Sequence, residues 1–360
     1  MSKKLKNTIK SLVFVAVVLM IATWTTYLFR GAETFGRKNI VGIKNEPRNS
    51  LKVVFVGSSS VYRYWDTMKA YHDFGIVSYD YSTSGMTGAG IVSAIKDIEK
   101  TQNPELIVVE VRSLLSRFEA DEFGRDTRNI FDAQDISFER LKAIDYFRNL
   151  YNLPYSDALS EYFEIIQYHD NYDALKDPDH WKLIDNRINR DSVDENNFKG
   201  FVLAARYGFV EEPKESVFSK KTQEISLQSK KILEDLIEYC SEKDFQILLV
   251  ASPFAINRRD EEQINYIEDM ANEHGVEIID TNKCYEEMGL DFSCDFSDVE
   301  HVNNFGSDKY TTFLSDYIIK KYDISVTHNN VIYDEEYERY TILKKQIDDM
   351  TLGLMNEKDN

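Results

Sequence analysis

The sequence predicts a three-layer α/β/α fold built on a mainly parallel five-stranded sheet. Short apolar runs closed by glycine or polar turn residues recur along the chain, and stretches of helical spacing separate them. Runs of this kind fit strands buried on both faces. Strands that alternate with helices need crossover connections, which place helices on either side of a parallel sheet. One long apolar stretch near the N-terminus stands apart from this rhythm and predicts a transmembrane helix.

That stretch, Leu12 to Phe29, carries no charge. Eighteen helical residues reach about 27 Å at ~1.5 Å each, close to the ~30 Å hydrocarbon core of a bilayer. Lys3, Lys4, Lys6 and Lys10 precede it without an acid, which predicts a cytoplasmic N-terminus. Trp24 and Tyr27 lie near its far end, where amphipathic rings favour the headgroup layer. A cleaved signal peptide is the rival reading, but Tyr27-Leu28-Phe29-Arg30-Gly31 is a poor cleavage site. The expectation is a single-pass protein of the cell membrane, with residues 1–30 as cytoplasmic tip and anchor and the remainder extracytoplasmic.

Residues 31–50 read as a polar tether, and 51–330 as the main domain. Lys52–Val56 is the first strand, Gly75–Tyr81 the second and Glu105–Val111 the third, with helices after Ser60 and over Thr87–Lys100. Gln228–Lys243 is helical, Phe245–Ser252 is a strand, Glu261–His274 a helix, Val276–Asp280 the fifth strand and Ser307–Tyr322 the closing helix. The rhythm breaks over about 119–224, a mostly helical insertion rich in Tyr, Asp and Asn that is placed to cap a site. Its helical pieces are Phe138–Tyr151 and Leu159–Tyr168. Residues 331–360 form a charged C-terminal helix, expected to pack on the domain.

The chain carries a net charge of −19, of which its first thirty residues contribute +5, leaving −24 for the rest. Such a surface repels phosphate backbones, so nucleic acid is not an expected partner. Three cysteines are too few for a disulfide framework; Cys284 with Cys294 as a pair and all thiols reduced both remain open, and Cys240 belongs to a helical face. No metal-ligand spacing occurs, and His169 and His180, with Trp181 beside the latter, form no ligand pattern. No cofactor or metal is expected.

Three motifs bear on chemistry. Gly57-Ser58-Ser59-Ser60 closes the first strand, where a serine stands at the sheet edge beside a helix N-terminus; a helix cap or a phosphate cradle is the plain alternative. Ser82-Thr83-Ser84-Gly85-Met86-Thr87 follows the second strand, and a glycine there lets a backbone N–H approach an oxyanion. Asp298-Val299-Glu300-His301 precedes the closing helix, and a triad needs an imidazole base with a carboxylate to orient it. Asp295 is a second carboxylate nearby, and His301 as a capping or surface histidine is the plain alternative.

Taken in order, these motifs resemble the SGNH/GDSL hydrolase superfamily, whose fold is the flavodoxin-like three-layer arrangement. The resemblance runs over about 51–118 and 245–322. It implies Ser59 as nucleophile, Gly85 and the Ser59 N–H as oxyanion donors, His301 as general base and Asp298 as its orienting acid. The third strand departs from the pattern: it runs into Glu110-Val111-Arg112 with no Asn. Arg112 has two readings, an oxyanion stabiliser replacing that Asn or a partner of Glu110 or another acid.

The N-terminal anchor, Gly57-Ser58-Ser59 and the Asn303…Gly306 turn after His301 also look like D-alanyl transfer proteins of teichoic acid operons. They look equally like exported SGNH proteins that work beside membrane-bound O-acyltransferases. The resemblance implies an exported serine esterase or acyltransferase acting on an envelope polysaccharide or teichoic-acid-like polymer, with a membrane-bound O-acyltransferase as a possible partner. The alternative is a non-catalytic scaffold that binds polymer or docks such an enzyme.

Overall fold

The computed structural model describes residues 2–29, 35–118, 124–176, 181 and 196–358. Strands β1 (Val53–Gly57), β2 (Ser78–Ser82), β3 (Leu106–Glu110), β6 (Ile247–Ala251) and β7 (Glu277–Asp280) form one sheet in the order β2-β1-β3-β6-β7. Every pairing within it is parallel. This is the expected five-stranded sheet, in the strand order of doubly wound folds whose ligands bind beyond the strand C-termini.

Alternate residues of each strand enter opposite cores, because strand side chains have a period of two. Val54, Val56, Ile107, Val109 and Leu249 pack with Ile91, Ile95, Ile232 and Leu236 from the helices Gly88–Ile98 and Leu227–Glu242. Val53, Phe55, Val108, Leu248 and Val250 pack on the other face with Trp65 and with Tyr310, Leu314 and Ile318 of helix Asn304–Lys321. Burial of both faces explains why the strands read as continuous apolar runs.

Two short antiparallel pairs lie outside the sheet: β4 (Asn197–Phe198) with β5 (Phe201–Val202), and β8 (Phe296–Asp298) with β9 (His301–Val302). The insertion holds helices Arg125–Phe131, Phe138–Leu150, Tyr155–Tyr162 and Ile165–Tyr168. The helix expected over Leu159–Tyr168 is broken at Phe163, whose backbone leaves helical geometry at φ −126° and ψ 80°. The C-terminal helix Val331–Lys358 buries Tyr333 and Tyr340.

The tether expected over 31–50 needs correction. Phe35–Gly42 is a helix continued by a 3₁₀ turn at Ile43–Asn45, and Ile40 and Ile43 are wholly buried. Asn39 donates to the Gly200 carbonyl at 2.8 Å and accepts from Tyr79 Oη on its own carbonyl at 2.7 Å. Asn39 is buried, and its side-chain amide satisfies a backbone carbonyl instead of facing water. All three cysteines are free thiols, so Cys284 and Cys294 do not pair here. The helix Lys3–Phe29 is long and apolar enough to cross a membrane over Lys3–Thr26.

Candidate active site

β1 ends at Gly57, and Ser59 opens the one-turn helix Ser59–Tyr62. A side chain at Gly57 would meet Val61 Cγ2 at 2.8 Å and Glu110 Cβ at 2.9 Å, so glycine is what lets this turn close over β3. As first residue of the helix, Ser59 has an N–H without an intrahelical acceptor.

The Asp298-x-x-His301 spacing has a specific cause. β8 and β9 are joined by the two residues Val299 and Glu300, so Asp298 and His301 are direct cross-strand partners. Such partners project on the same face of a ladder and bring their side chains together. His301 Nδ1 lies 2.8 Å from Asp298 Oδ1, and His301 Nε2 lies 2.7 Å from Ser59 Oγ. A carboxylate only accepts, so Nδ1–H donates to Asp298 and the Nε2 lone pair faces the Ser59 hydroxyl.

Burial lowers the His301 pKa below the usual histidine value; the bond to Asp298 opposes this, and the positive charges of Arg63 and Arg112 reinforce it. The ring is therefore neutral at neutral pH and free to accept a proton. Burial pushes the Asp298 pKa upward, but the His301 hydrogen bond and charge, the Glu300 N–H and the Arg63 charge outweigh it and hold the carboxyl well below its ordinary range. Asp295 serves elsewhere: it accepts from Asp291 N at 2.7 Å and from Lys309 Nζ at 2.5 Å.

Gly85 sits at φ +62°, where a side chain is strained, and a Cβ there would meet the Asp126 carboxylate at 2.4 Å. Asn129 Nδ2 donates to the Ser84 carbonyl at 3.1 Å, so the first helix of the insertion braces this turn. β1 and β2 place Gly57 beside Ser82 in register, which brings the Ser59 and Gly85 turns to one edge of the sheet.

Arg112 is buried, and its Nη1 donates to Glu300 O at 3.0 Å and to Tyr64 Oη at 3.3 Å. The Tyr64 hydroxyl lies 2.7 Å from that same Glu300 carbonyl and 2.9 Å from Pro253 O. Burial pushes the Tyr64 pKa up to about 12, keeping it a hydrogen donor. Ala255 N donates to Val299 O at 2.9 Å, and Arg117 Nη2 pairs with Glu300 Oε1 at 3.4 Å. Arg112 thus helps to fix the turn that carries Asp298 and His301, while its backbone N–H, not its guanidinium, bonds Glu110 at 3.2 Å.

Sequence reasoning gave no site role of their own to several residues at this edge. Glu110 is buried below the serine turn and accepts from Ser60 Oγ at 2.6 Å and Ser252 Oγ at 3.1 Å. A lone acid closing an apolar strand was its available signal. Arg63, one helical turn after Ser59, reaches Asp298 Oδ2 at 3.4 Å. Arg206 has no motif around it; the pairing of its segment with β8 brings it in. Gly208 N donates to Phe296 O at 3.0 Å, two residues beyond Arg206. His169 and Trp181 are exposed on the insertion, and His180 lies outside the described residues. Among the described residues no three His, Cys, Asp or Glu side chains converge as metal ligands.

No family model and no curated protein sequence matches the chain. Among solved structures, a lipase/acylhydrolase from Enterococcus faecalis aligns at 11% identity and a TM-score of 0.35, over 77% of this chain and 98% of that one. A carbohydrate acetylesterase family member from Sinorhizobium meliloti aligns at 12% identity and 0.29, over 75% and 98% of the two chains. An acetyl xylan esterase, Est2A, from the rumen bacterium Butyrivibrio proteoclasticus aligns at 11% and 0.30, over 77% and 65%. Likeness at this distance carries no argument about chemistry, which rests on the side chains themselves.

Proposed function

We propose that this chain is a membrane-anchored serine acyl-ester enzyme of the SGNH/GDSL type, facing the cell envelope. The observation that carries the reading is the continuous chain Ser59 Oγ, His301 Nε2, His301 Nδ1, Asp298 Oδ1, with links of 2.7 and 2.8 Å. Ser59 Oγ attacks the acyl carbonyl while His301 Nε2 takes its proton, and Asp298 holds the ring and stabilises the imidazolium. The tetrahedral oxyanion is met by the N–H groups of Ser59 and Gly85. Collapse expels the alcohol, which receives the proton from His301. A second hydroxyl, from water or from a sugar or polyol of an envelope polymer, then gives up its proton to His301 and takes the acyl group.

The apolar helix Lys3–Phe29 and the four lysines at its N-terminal end support an anchor with the domain outside the cytoplasm. That position favours transfer to a polysaccharide or teichoic-acid-like acceptor, with a membrane-bound O-acyltransferase as the acyl source. One observation favours a non-catalytic scaffold instead: no Asn follows β3, and the Arg112 hydrogen bonds go to Tyr64 and Glu300.

Intact-mass analysis after a fluorophosphonate probe separates the two. A single adduct on the wild type, absent from Ser59→Ala and His301→Ala, is the expected result. No adduct between about pH 6 and 9, where a neutral histidine base is available, would leave only the scaffold.

A further inference from the structure

Two arginines flank the triad with too few acids to neutralise them. Arg63 follows Ser59 by one helical turn, and its closest acid is Asp298, at a long 3.4 Å. Its Nε is buried and has no hydrogen-bond partner. Asp298 is already engaged on Oδ1 by His301 Nδ1 and by the Glu300 N–H at 2.9 Å. Arg206 comes from a distant part of the chain. Its segment leaves β5, which packs on the Ser59–Tyr62 helix, and runs along β8, where a Cβ on Gly208 would stand 2.3 Å from Ser297 O and 3.5 Å from Asp298 N. Arg206 is half-buried, and among the described residues it has no hydrogen-bond or ion-pair partner. Burial and then the Arg63 charge both lower its pKa, with Tyr62 and Asp298 opposing, so the two guanidinium groups are near enough to act on each other.

Holding two guanidinium groups together, one half-buried and unpaired, costs free energy that a structural role would recover by supplying a carboxylate. The other acids near this edge are committed: Glu300 to Arg117 and Glu110 to Ser60 and Ser252. The contrast with the rest of the domain is sharp, since residues 31–360 carry −24. A local positive pair in an acidic surface draws anions to that one place. Guanidinium also offers the planar, forked donors that suit phosphate and carboxylate oxygens.

We propose that Arg63 and Arg206 form an anion subsite beside Ser59, so that the ester this protein uses carries a phosphate or carboxylate next to the reacting acyl group. The inference rests on the serine-enzyme reading for its place in the reaction, but the anion site itself is testable without turnover.

The full-length protein in detergent is assayed with three acetyl esters: 4-acetoxybenzyl alcohol (neutral), 4-acetoxybenzoate and 4-acetoxyphenyl phosphate. Comparing each variant's anionic-to-neutral ratio of kcat/KM with the wild type's cancels the intrinsic reactivity of the esters. Loss of one charge-assisted contact predicts that Arg206→Gln lowers that ratio about tenfold or more, chiefly through KM. Arg206→Lys, which keeps the charge, lowers it by much less. The benzoate and phosphate arms tell a carboxylate substrate from a phosphate one. A ratio that stays within about twofold of wild type in Arg206→Gln overturns the subsite.

If the wild type gives no fluorophosphonate adduct and cleaves none of the esters, the enzyme reading fails and binding decides the subsite alone. Inorganic phosphate at about 10 mM, against chloride at matched ionic strength, raises the Tm of wild type and of Ser59→Ala by linkage. Arg206→Gln abolishes that rise. An equal rise in Arg206→Gln, or none in the wild type, overturns the proposal.

Discussion

The sheet and the insertion are held together by opposite means. Around the sheet, buried Val, Ile and Leu fill both faces. In the insertion, the Arg140 side chain is 1% exposed and its Nη2 lies 2.7 Å from Glu164 Oε1 and 3.6 Å from Asp132 Oδ1. Arg128 adds Glu161 at 2.9 Å and Asp132 at 3.4 Å, and Arg140 Nε donates to Phe131 O at 2.7 Å. Phe138, at the start of the same helix as Arg140, is 79% exposed. Apolar burial is tolerant of shape, whereas a buried ion network depends on every partner being present.

The largest expected effect therefore falls in the insertion. Arg140→Leu removes the cation 2.7 Å from buried Glu164 and one of the two beside Asp132, and should cost about 3–5 kcal/mol. Native-state hydrogen exchange should show lost protection over residues 138–168 while the strands keep theirs. Equal loss in the sheet would mean that the two regions unfold as one and would break the comparison.

Leu249→Ala, in the centre of β6, should cost about 2–5 kcal/mol through the cavity it leaves. Here the fall in urea midpoint should be the same for probes in the sheet and in the insertion, because nothing docks without the sheet. A probe in the insertion that melted at its old midpoint would refute this hierarchy.

The third effect is a shift rather than a loss. Because His301 titrates below the ordinary histidine value, the proton acceptor is present above that lowered pKa and lost as pH falls through it. The acid limb of kcat/KM should lie below about pH 6.5. It should stay there in Arg140→Leu, since the groups that set it belong to the sheet edge and the β8–β9 hairpin. A limb at or above the ordinary value would show that the hairpin holds the ring less buried than described.

This division also explains what the sequence made legible. Lys52–Val56, Glu105–Val111 and Phe245–Ser252 read as strands because burial on both faces writes an unbroken apolar run into a short local segment. Asp298 and His301 were legible because a two-residue hairpin makes their spacing local. Arg206 depends on contacts distant in sequence, so no local pattern announces it, and the acid that closes β3 marks Glu110 without showing that Ser60 and Ser252 meet it. Arg128 and Arg140 were hidden for another reason: charges at helical spacing read as a solvated face, and only the packed structure shows the acids that meet them. Phe35–Asn45 looked like tether because its apolar residues, Phe35, Ile40, Val41 and Ile43, are scattered among polar residues and glycines, with no local sign that Ile40 and Ile43 are buried.

That built-in segment has a mechanical consequence. The membrane-competent helix ends at Phe29 and the folded domain begins at Phe35, leaving residues 30–34 between them. Five residues reach roughly 17 Å when fully extended. The helix end is also clasped by the domain, through Asn171 Nδ2 on the Phe29 carbonyl at 2.9 Å and the edge of Tyr172 against the Phe29 ring. With the helix in a bilayer, Ser59 would patrol a thin layer at a nearly fixed height, searching in two dimensions instead of three. Hydroxyls presented within that layer would meet it at a high effective concentration, and those farther out would lie beyond its leash.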